Sequence, residues 1–186
     1  MFDKAWSTIR SWATSSRKME IHGIRVTFRS TKERDLAEWE PILHKWLPRF
    51  EEVGWLDGLS AIHIDSSRIH GKRAVGQYQP LFSYISVSPR PYDREEVLIH
   101  EMVHHAHYEN VGVFSEGTLL SSWDKRDQTA FMKEVSSYAG ENPYESVAEF
   151  ATGYILGEEY DDSIREKYDR LDGPDGLDTL REAEDL

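Results

Sequence analysis

The chain contains no cysteine. Disulfide bonds and thiol chemistry are therefore excluded. Histidine is also missing from the second part of the chain, because the last of the eight histidines is His107. A metal ligand located further downstream would therefore have to be an aspartate or a glutamate.

Long apolar runs are absent as well. Residues 1–20 carry Lys4, Arg10, Arg17 and Lys18 among isolated apolar side chains, without the continuous apolar core of an export signal. No other stretch has the length and apolarity of a membrane span. We therefore expect no signal peptide, no transmembrane segment, and a protein that is located in the cytoplasm or associated with a virion.

Positive charge is scarce, since 22 Lys and Arg stand against 34 Asp and Glu, which gives a net charge of −12. Residues 158–186 alone hold 12 acidic and four basic side chains. A chain of this kind, without a basic stripe, repels phosphate groups. Nucleic acid and membranes are therefore not expected as partners, and a protein or peptide is the expected substrate. The oligomeric state is left open.

The length of 186 residues suits one main domain. Residues 2–13 place apolar side chains at helical spacing, so residues 1–20 are predicted to form an N-terminal helical extension. Residues 21–157 are predicted to form the main domain. Residues 158–186 are predicted to form an acidic C-terminal helix and tail, with frayed ends after residue 176.

Alternating and helical apolar patterns predict the elements of the main domain. Strands are predicted over residues 21–29, 59–64, 74–79 and 83–88. An amphipathic helix is predicted over residues 31–50, in which Pro41 and Pro48 are expected to cause a bend or an end. A loop over residues 112–122 leads to a helix over residues 127–135, with Phe131, Met132 and Val135 facing inward.

The sequence His-Glu-Met-Val-His occupies residues 100–104, inside a segment that is predicted to be helical. At about 3.6 residues per turn, His100 and His104 project from one face toward one point, which can hold a metal ion. Glu101 is turned partly away and can take a proton from a water at that metal. A helix with ordinary surface or core histidines is the alternative. His105 and His107 lie off the ligand face and are expected on the surface or beside the ligands.

Two carboxylates four residues apart are the candidates for a third ligand. Asn142 followed by Pro143 predicts a helix start, because asparagine accepts a bond from a free amide and proline suits the first helical position. Glu145 and Glu149 then lie on one face of that helix. A metal ligand and a carboxylate that supports it from outside would be arranged in this way.

The two motifs together resemble the gluzincin metallopeptidases, most closely the catalytic domain of anthrax lethal factor and related phage-borne and toxin-type zincins. The resemblance is carried by His100-Glu101-x-x-His104 and by Tyr138-x6-Glu145-x3-Glu149, and it covers residues 93–157. It implies one catalytic zinc ion. The implied ligands are His100, His104 and Glu145, with Glu101 as the general base, Tyr138 as a hydrogen-bond donor to the oxyanion and Glu149 as the supporting carboxylate.

The resemblance also implies an α+β zincin-like fold, in which a small twisted mixed sheet of three or four strands covers the active-site helix. A helical C-terminal subdomain would lie below the cleft. In this architecture the penultimate strand borders the cleft and pairs with an extended substrate. By chain order, this strand contains Val75, Gly76, Gln77 and Tyr78. An ordinary edge strand is the alternative.

These features predict a zinc-dependent endopeptidase. Two imidazoles and one carboxylate favour zinc, since they leave a fourth tetrahedral position for water. One alternative is a zincin-fold protein that binds a partner or serves in a virion without turnover, although such a protein has no chemical need for Glu101 and Tyr138. Another is a protease of the SprT-like group, which resembles this chain in His-Glu-Met-Val-His. That group takes its third ligand from a downstream histidine, which this chain lacks.

Overall fold

A computed structural model describes residues 16–29, 33–70, 74–112 and 123–182. Over these residues the protein combines five strands and six α-helices, so the predicted α+β class is confirmed. The strands are β1 (Arg17–Ile21), β2 (Ile24–Phe28), β3 (Ala61–Ile64), β4 (Gly76–Gln79) and β5 (Tyr84–Val87). The helices are α1 (Glu33–Glu52), α2 (Arg94–Val111), α3 (Lys125–Glu134), α4 (Pro143–Ile155), α5 (Asp162–Arg170) and α6 (Leu177–Glu182).

The strands form one open mixed sheet in the order β1-β2-β3-β5-β4. β2, β3 and β5 run parallel, while β1 and β4 are antiparallel to their neighbours. Within the described residues β4 pairs with β5 alone, so its other edge is free. Helix α2 packs against β4 and β5 on one side and against α4 on the other. This arrangement brings the two motif-bearing helices together beside the free edge.

The first predicted strand, over residues 21–29, is wrong in extent: the structure has a hairpin there. The chain turns at His22 and Gly23, whose φ angles are 48° and 74°, the combination required by a tight two-residue turn between antiparallel strands. Ile21 and Ile24 face each other across that turn. The sheet therefore gains a fifth strand, and it includes residues 17–20 of the expected helical extension. The helix predicted over residues 2–13 lies outside the described residues.

Helix α1 runs through both of its prolines, contrary to the expectation that Pro41 and Pro48 would bend or end it. Pro41 is exposed, so the carbonyl group that its ring deprives of a partner lies on the side of the solvent. The opposite face buries Trp39, Leu43 and Trp46 completely. Burial of this apolar face outweighs the cost of the two prolines.

The C-terminal segment is better ordered than the sequence suggests. Leu177 and Leu180 of α6 are buried in the same hydrophobic cluster as the side chains of the sheet. The preceding turn is held by two hydrogen bonds, from Trp55 Nε1 to the carbonyl of Asp175 at 2.8 Å and from the Tyr168 hydroxyl to the carbonyl of Pro174 at 2.6 Å. The expectation of a frayed tail is therefore wrong for residues 177–182.

Helix α3 also differs in one side chain from its predicted orientation. Phe131 is buried as expected, but Met132 is half exposed. Met132 lies across Gly140, where a Cβ atom would be 1.8 Å from Met132 Cγ. None of the helices in the described part of the chain has the length and apolarity needed to cross a membrane.

Candidate metal centre

Helix α2 presents the His-Glu-Met-Val-His sequence as predicted. It begins after Asp93, whose side chain accepts hydrogen bonds from the backbone amides of Glu95 and Glu96 at 2.9 and 3.0 Å. It ends at Gly112, which has a φ of 75°. Its apolar side chains around the motif are buried, so the helix is held in the core and its ligand face is fixed.

Helix α4 also begins where the sequence predicts. The Asn142 side chain accepts hydrogen bonds from the amides of Tyr144 and Glu145, both at 3.0 Å, and Pro143 is the first helical residue. The loop before this helix is tied down by Ser146, whose hydroxyl donates to the carbonyl of Ala139 at 2.5 Å. These bonds fix the position of Glu145 in the first turn of the helix.

Three side-chain atoms from α2 and α4 meet at one point. His100 Nε2 lies 3.1 Å from His104 Nε2 and 3.2 Å from Glu145 Oε2, and His104 Nε2 lies 3.3 Å from the same oxygen. These side chains offer one ligand atom each, and among the described residues they form a group that could hold a metal ion. Four tetrahedral ligands at about 2.0–2.1 Å from zinc are themselves about 3.3–3.4 Å apart. The edges of the triangle, at 3.1–3.3 Å, are close to that separation.

The electrostatics of this triangle favour a positive charge at its centre. Burial lowers the pKa of His100, but hydrogen bonds to Glu145 and Glu149 outweigh burial and raise that pKa to about 10. Burial raises the pKa of Glu145, because it disfavours the charged carboxylate. Hydrogen bonds to His100 and His104 outweigh burial and hold the pKa of Glu145 well below its usual value. The carboxylates thus stabilise positive charge on the imidazole of His100.

Glu149 lies behind His100, one turn further along α4 than Glu145. Its Oε1 is 3.2 Å from His100 Nδ1, and its Oε2 accepts a hydrogen bond of 2.6 Å from the Ser136 hydroxyl. A carboxylate that accepts the Nδ1 proton of a histidine leaves Nε2 free to bind a metal and fixes the ring plane. Glu149 therefore contacts His100 and lies outside the group of three candidate ligands.

We expect Glu149→Ala to weaken zinc binding by about 10–100-fold without abolishing it, because it removes the acceptor that orients His100. Competition with a chelating dye measures the dissociation constant. Ser136→Ala is the matched comparison: it removes one bond to Glu149 and leaves the carboxylate, so its effect should be smaller. A dissociation constant equal to that of the parent protein in Glu149→Ala would contradict this role.

Glu101 is buried beside the ligands, with 6% of its surface exposed. Burial raises its pKa, while the charges of His104 and His100 and a hydrogen bond from the backbone of Tyr78 oppose that rise. A raised pKa suits a group that must accept a proton and later release it. The side chain lines the same cleft as the three ligand atoms without being part of their triangle.

Tyr138 lies at the open side of the centre, with 44% of its surface exposed. Its ring lies 6.2 Å from that of His100, nearly parallel to it. Burial of the hydroxyl, followed by the charge of Glu145 and a hydrogen bond with its side chain, raises the pKa of Tyr138. The hydroxyl therefore keeps its proton at neutral pH and remains a hydrogen-bond donor.

The strand expected to bind substrate borders the cleft. Val75 precedes β4, and Gly76, Gln77 and Tyr78 lie in it. The cleft next to the ligands has a volume of about 440 Å³, and a cavity of about 210 Å³ adjoins it. Gly76 and Glu101 line both spaces. An open edge strand therefore runs past the candidate metal centre, as expected from the chain order.

His105 and His107 belong to the core, which corrects the expectation of a place on the surface or beside the ligands. Both side chains are fully buried. His105 Nε2 donates to the carbonyl of Asp57 at 3.0 Å, and His107 Nε2 donates to the carbonyl of Leu171 at 2.8 Å. Burial lowers the pKa of each histidine to about 4, so both are neutral at physiological pH. They connect α2 to distant segments of the fold.

The sequence does not predict the contacts of two residues that contribute to the site. Ser136 holds Glu149, and it also accepts a hydrogen bond of 2.9 Å from the amide of Ala139 in the Tyr138 loop. The sequence predicts that Gly76 lies on the edge strand, but it does not predict the contact with Glu101. Neither has a local signal, because each acts on a residue that is more than ten positions away in the chain.

Comparison with known proteins gives little beyond this geometry. No family model and no curated protein matches the chain. Among solved structures, the chain is similar to a candidate zinc-binding metallo-peptidase from Bacteroides caccae, with 19% sequence identity and a TM-score of 0.39. The match covers 80% of this chain and 65% of that protein, so the chain spans just under two thirds of its length. A likeness at this level establishes neither a family nor an activity.

Proposed function

We propose that the protein is a zinc-dependent endopeptidase of the zincin type. The observation that carries the proposal is the triangle of His100 Nε2, His104 Nε2 and Glu145 Oε2, with edges of 3.1–3.3 Å, beside the buried carboxylate of Glu101. A metal centre with three protein ligands and one free position is the usual form of a catalytic zinc site. Further support comes from the free strand edge along the cleft.

The chain supplies the groups that hydrolysis needs. When bound, zinc would act as a Lewis acid and lower the pKa of a water to about 7. Glu101 would accept the proton that the attacking water loses as its oxygen bonds to the substrate carbonyl carbon. The same carboxylate then gives the proton to the amine as the carbon–nitrogen bond breaks. Tyr138 donates a hydrogen bond to the carbonyl oxygen as negative charge develops on it.

The free edge of β4 favours a polypeptide substrate. In an antiparallel pair, opposite residues alternate between hydrogen-bonded and non-bonded positions. The amide of Ser88 donates to the carbonyl of Val75 at 2.7 Å, so Gly76 and Tyr78 fall in non-bonded positions. Their backbone groups are directed away from β5, with the amide of Tyr78 on the side of Glu101. An extended peptide can pair with such groups, and space on both sides of Glu101 suits cleavage within a chain.

We expect Tyr138→Phe to keep its zinc and to lower kcat by about 10²–10³-fold, because one donor to the developing oxyanion is lost. Zinc content and steady-state kinetics measured on the same sample separate the two effects. Tyr84→Phe, which removes a phenolic hydroxyl from β5, is the matched control with unchanged kinetics. A parent-like kcat in Tyr138→Phe would remove the hydroxyl from the reaction.

Digestion of a proteome-derived peptide library tests the proposed function. Mass spectrometry should detect new internal termini with the zinc-loaded protein and not after removal of the metal by a chelator. Readdition of zinc should restore cleavage. A protein that binds zinc at this site and yields no new termini would be a metal-binding protein without turnover, which contradicts the proposal.

A further inference from the structure

A side chain at position 76 would project toward Glu101, and Gly76 has none. A Cβ atom at this position would lie 2.4 Å from Glu101 Oε1 and 2.8 Å from both Cγ and Cδ of that side chain. Attractive contacts between carbon atoms begin at about 3.5 Å, so even a methyl group overlaps the carboxylate. Gly76 has no left-handed φ angle, unlike Gly23. The requirement for glycine therefore comes from the contact and not from the backbone conformation.

The carboxylate of Glu101 is held where it lies. Its side chain is buried, and it lies close to the backbone of Tyr78. The Tyr78 side chain projects to the same face of β4 as the missing side chain of Gly76. Its ring packs against those of His105 and Tyr108, at 5.2 and 5.6 Å between centroids, one and two turns beyond Glu101 on α2. These ring contacts hold β4 against α2 next to Glu101.

We propose that Gly76 is the positioning residue for Glu101. The absent side chain leaves the space that the carboxylate of Glu101 occupies beside the candidate ligands. A methyl group at position 76 displaces the carboxylate and leaves the three ligand atoms in place. The consequence for hydrolysis rests on the proposed function, whereas the contact between Gly76 and Glu101 does not.

Kinetics of Gly76→Ala test the positioning role. We expect kcat to fall by about 10–100-fold, because a displacement of about 1 Å in a catalytic group has an effect of this size. Zinc content should stay at the parent value and KM within about twofold, because ground-state binding of substrate is retained. A parent-like kcat overturns the proposal. An increase in KM alone would assign Gly76 to substrate binding, and loss of zinc would assign it to the ligands; both also overturn it.

A stability cycle tests the contact independently of turnover. Gly76→Ala should lower the Tm of the parent protein by about 3–6 °C, and by less than about 1 °C in a Glu101→Ala background, where the overlap is absent. Gly23→Ala is the matched control: Gly23 has a φ of 74° and no atom within 4 Å of an added Cβ, so its cost should be equal in both backgrounds. Equal losses for Gly76→Ala in the two backgrounds overturn the proposal. A variant that folds only in the Glu101→Ala background supports it. If the effects of the two substitutions on Tm are coupled but the parent protein has no peptidase activity, the result contradicts the proposed function and leaves the contact between Gly76 and Glu101 supported.

Discussion

Replacement of His100, His104 or Glu145 by alanine is expected to release the zinc ion and abolish peptidase activity. Each variant leaves two protein ligands, which rarely retain zinc at neutral pH. The effect should exceed the weakening of about 10–100-fold that is typical of residues outside the ligand set. Glu145 lies in the first turn of α4, and Asn142 fixes the start of that helix. A neighbouring carboxylate therefore cannot easily take the place of Glu145.

Zinc content after gel filtration and the change in Tm on adding zinc are two independent measurements of this loss. The parent protein should be stabilised by zinc, since a ligand that binds only the folded state raises its stability. The three variants should show no such increase. His44→Ala, an exposed histidine on α1, is the control that should behave like the parent protein. Retention of a full equivalent of zinc by Glu145→Ala, with loss in Glu149→Ala, would move the third ligand by one helical turn.

Glu101→Gln should have the opposite pattern, with zinc retained and turnover lost. The amide has nearly the same shape as the carboxylate but cannot accept a proton from the attacking water. Loss of this proton transfer is expected to lower kcat by about 10²–10⁴-fold or more. The side-chain oxygen of glutamine can accept the same hydrogen bonds as one carboxylate oxygen. The fold and the substrate affinity should therefore stay close to those of the parent protein.

The matched control is Glu109→Gln, which makes the same change at an exposed position on the same helix. It should leave kcat unchanged. Zinc content, KM and kcat are measured for both variants with one peptide from the library digest. Digestion by Glu101→Gln at the parent rate would contradict the hydrolytic mechanism, even if the metal centre is present.

The arrangement of the candidate metal centre is predictable in large part because the spacing within each helix encodes it. His100 and His104 are one turn apart, and Asn142 followed by Pro143 predicts the start of α4. A spacing within one helix predicts which side chains share a face. It does not predict that α2 and α4 approach each other, and that step came from the family resemblance. The structure places Glu145 against the two histidines, as the resemblance implied.

Features that depend on contacts between distant segments could not be predicted. The buried positions 24, 26 and 28 alternate as in one strand, whereas the exposed His22 and Gly23 form a tight turn that separates them from Ile21. Burial of His105 depends on acceptors in the loop near Asp57, which no pattern within α2 reveals. The proximity of Gly76 to Glu101 likewise arises only when β4 is laid across α2.

Anomalous scattering at the zinc absorption edge, from crystals of the zinc-loaded protein, tests the central claim most directly. One peak is predicted, at about 2.0–2.2 Å from His100 Nε2, His104 Nε2 and a carboxylate oxygen of Glu145. Glu149 should be outside bonding distance of that peak and in contact with His100 Nδ1. A peak bound by Glu149 in place of Glu145, or zinc bound only at another part of the surface, would contradict the account.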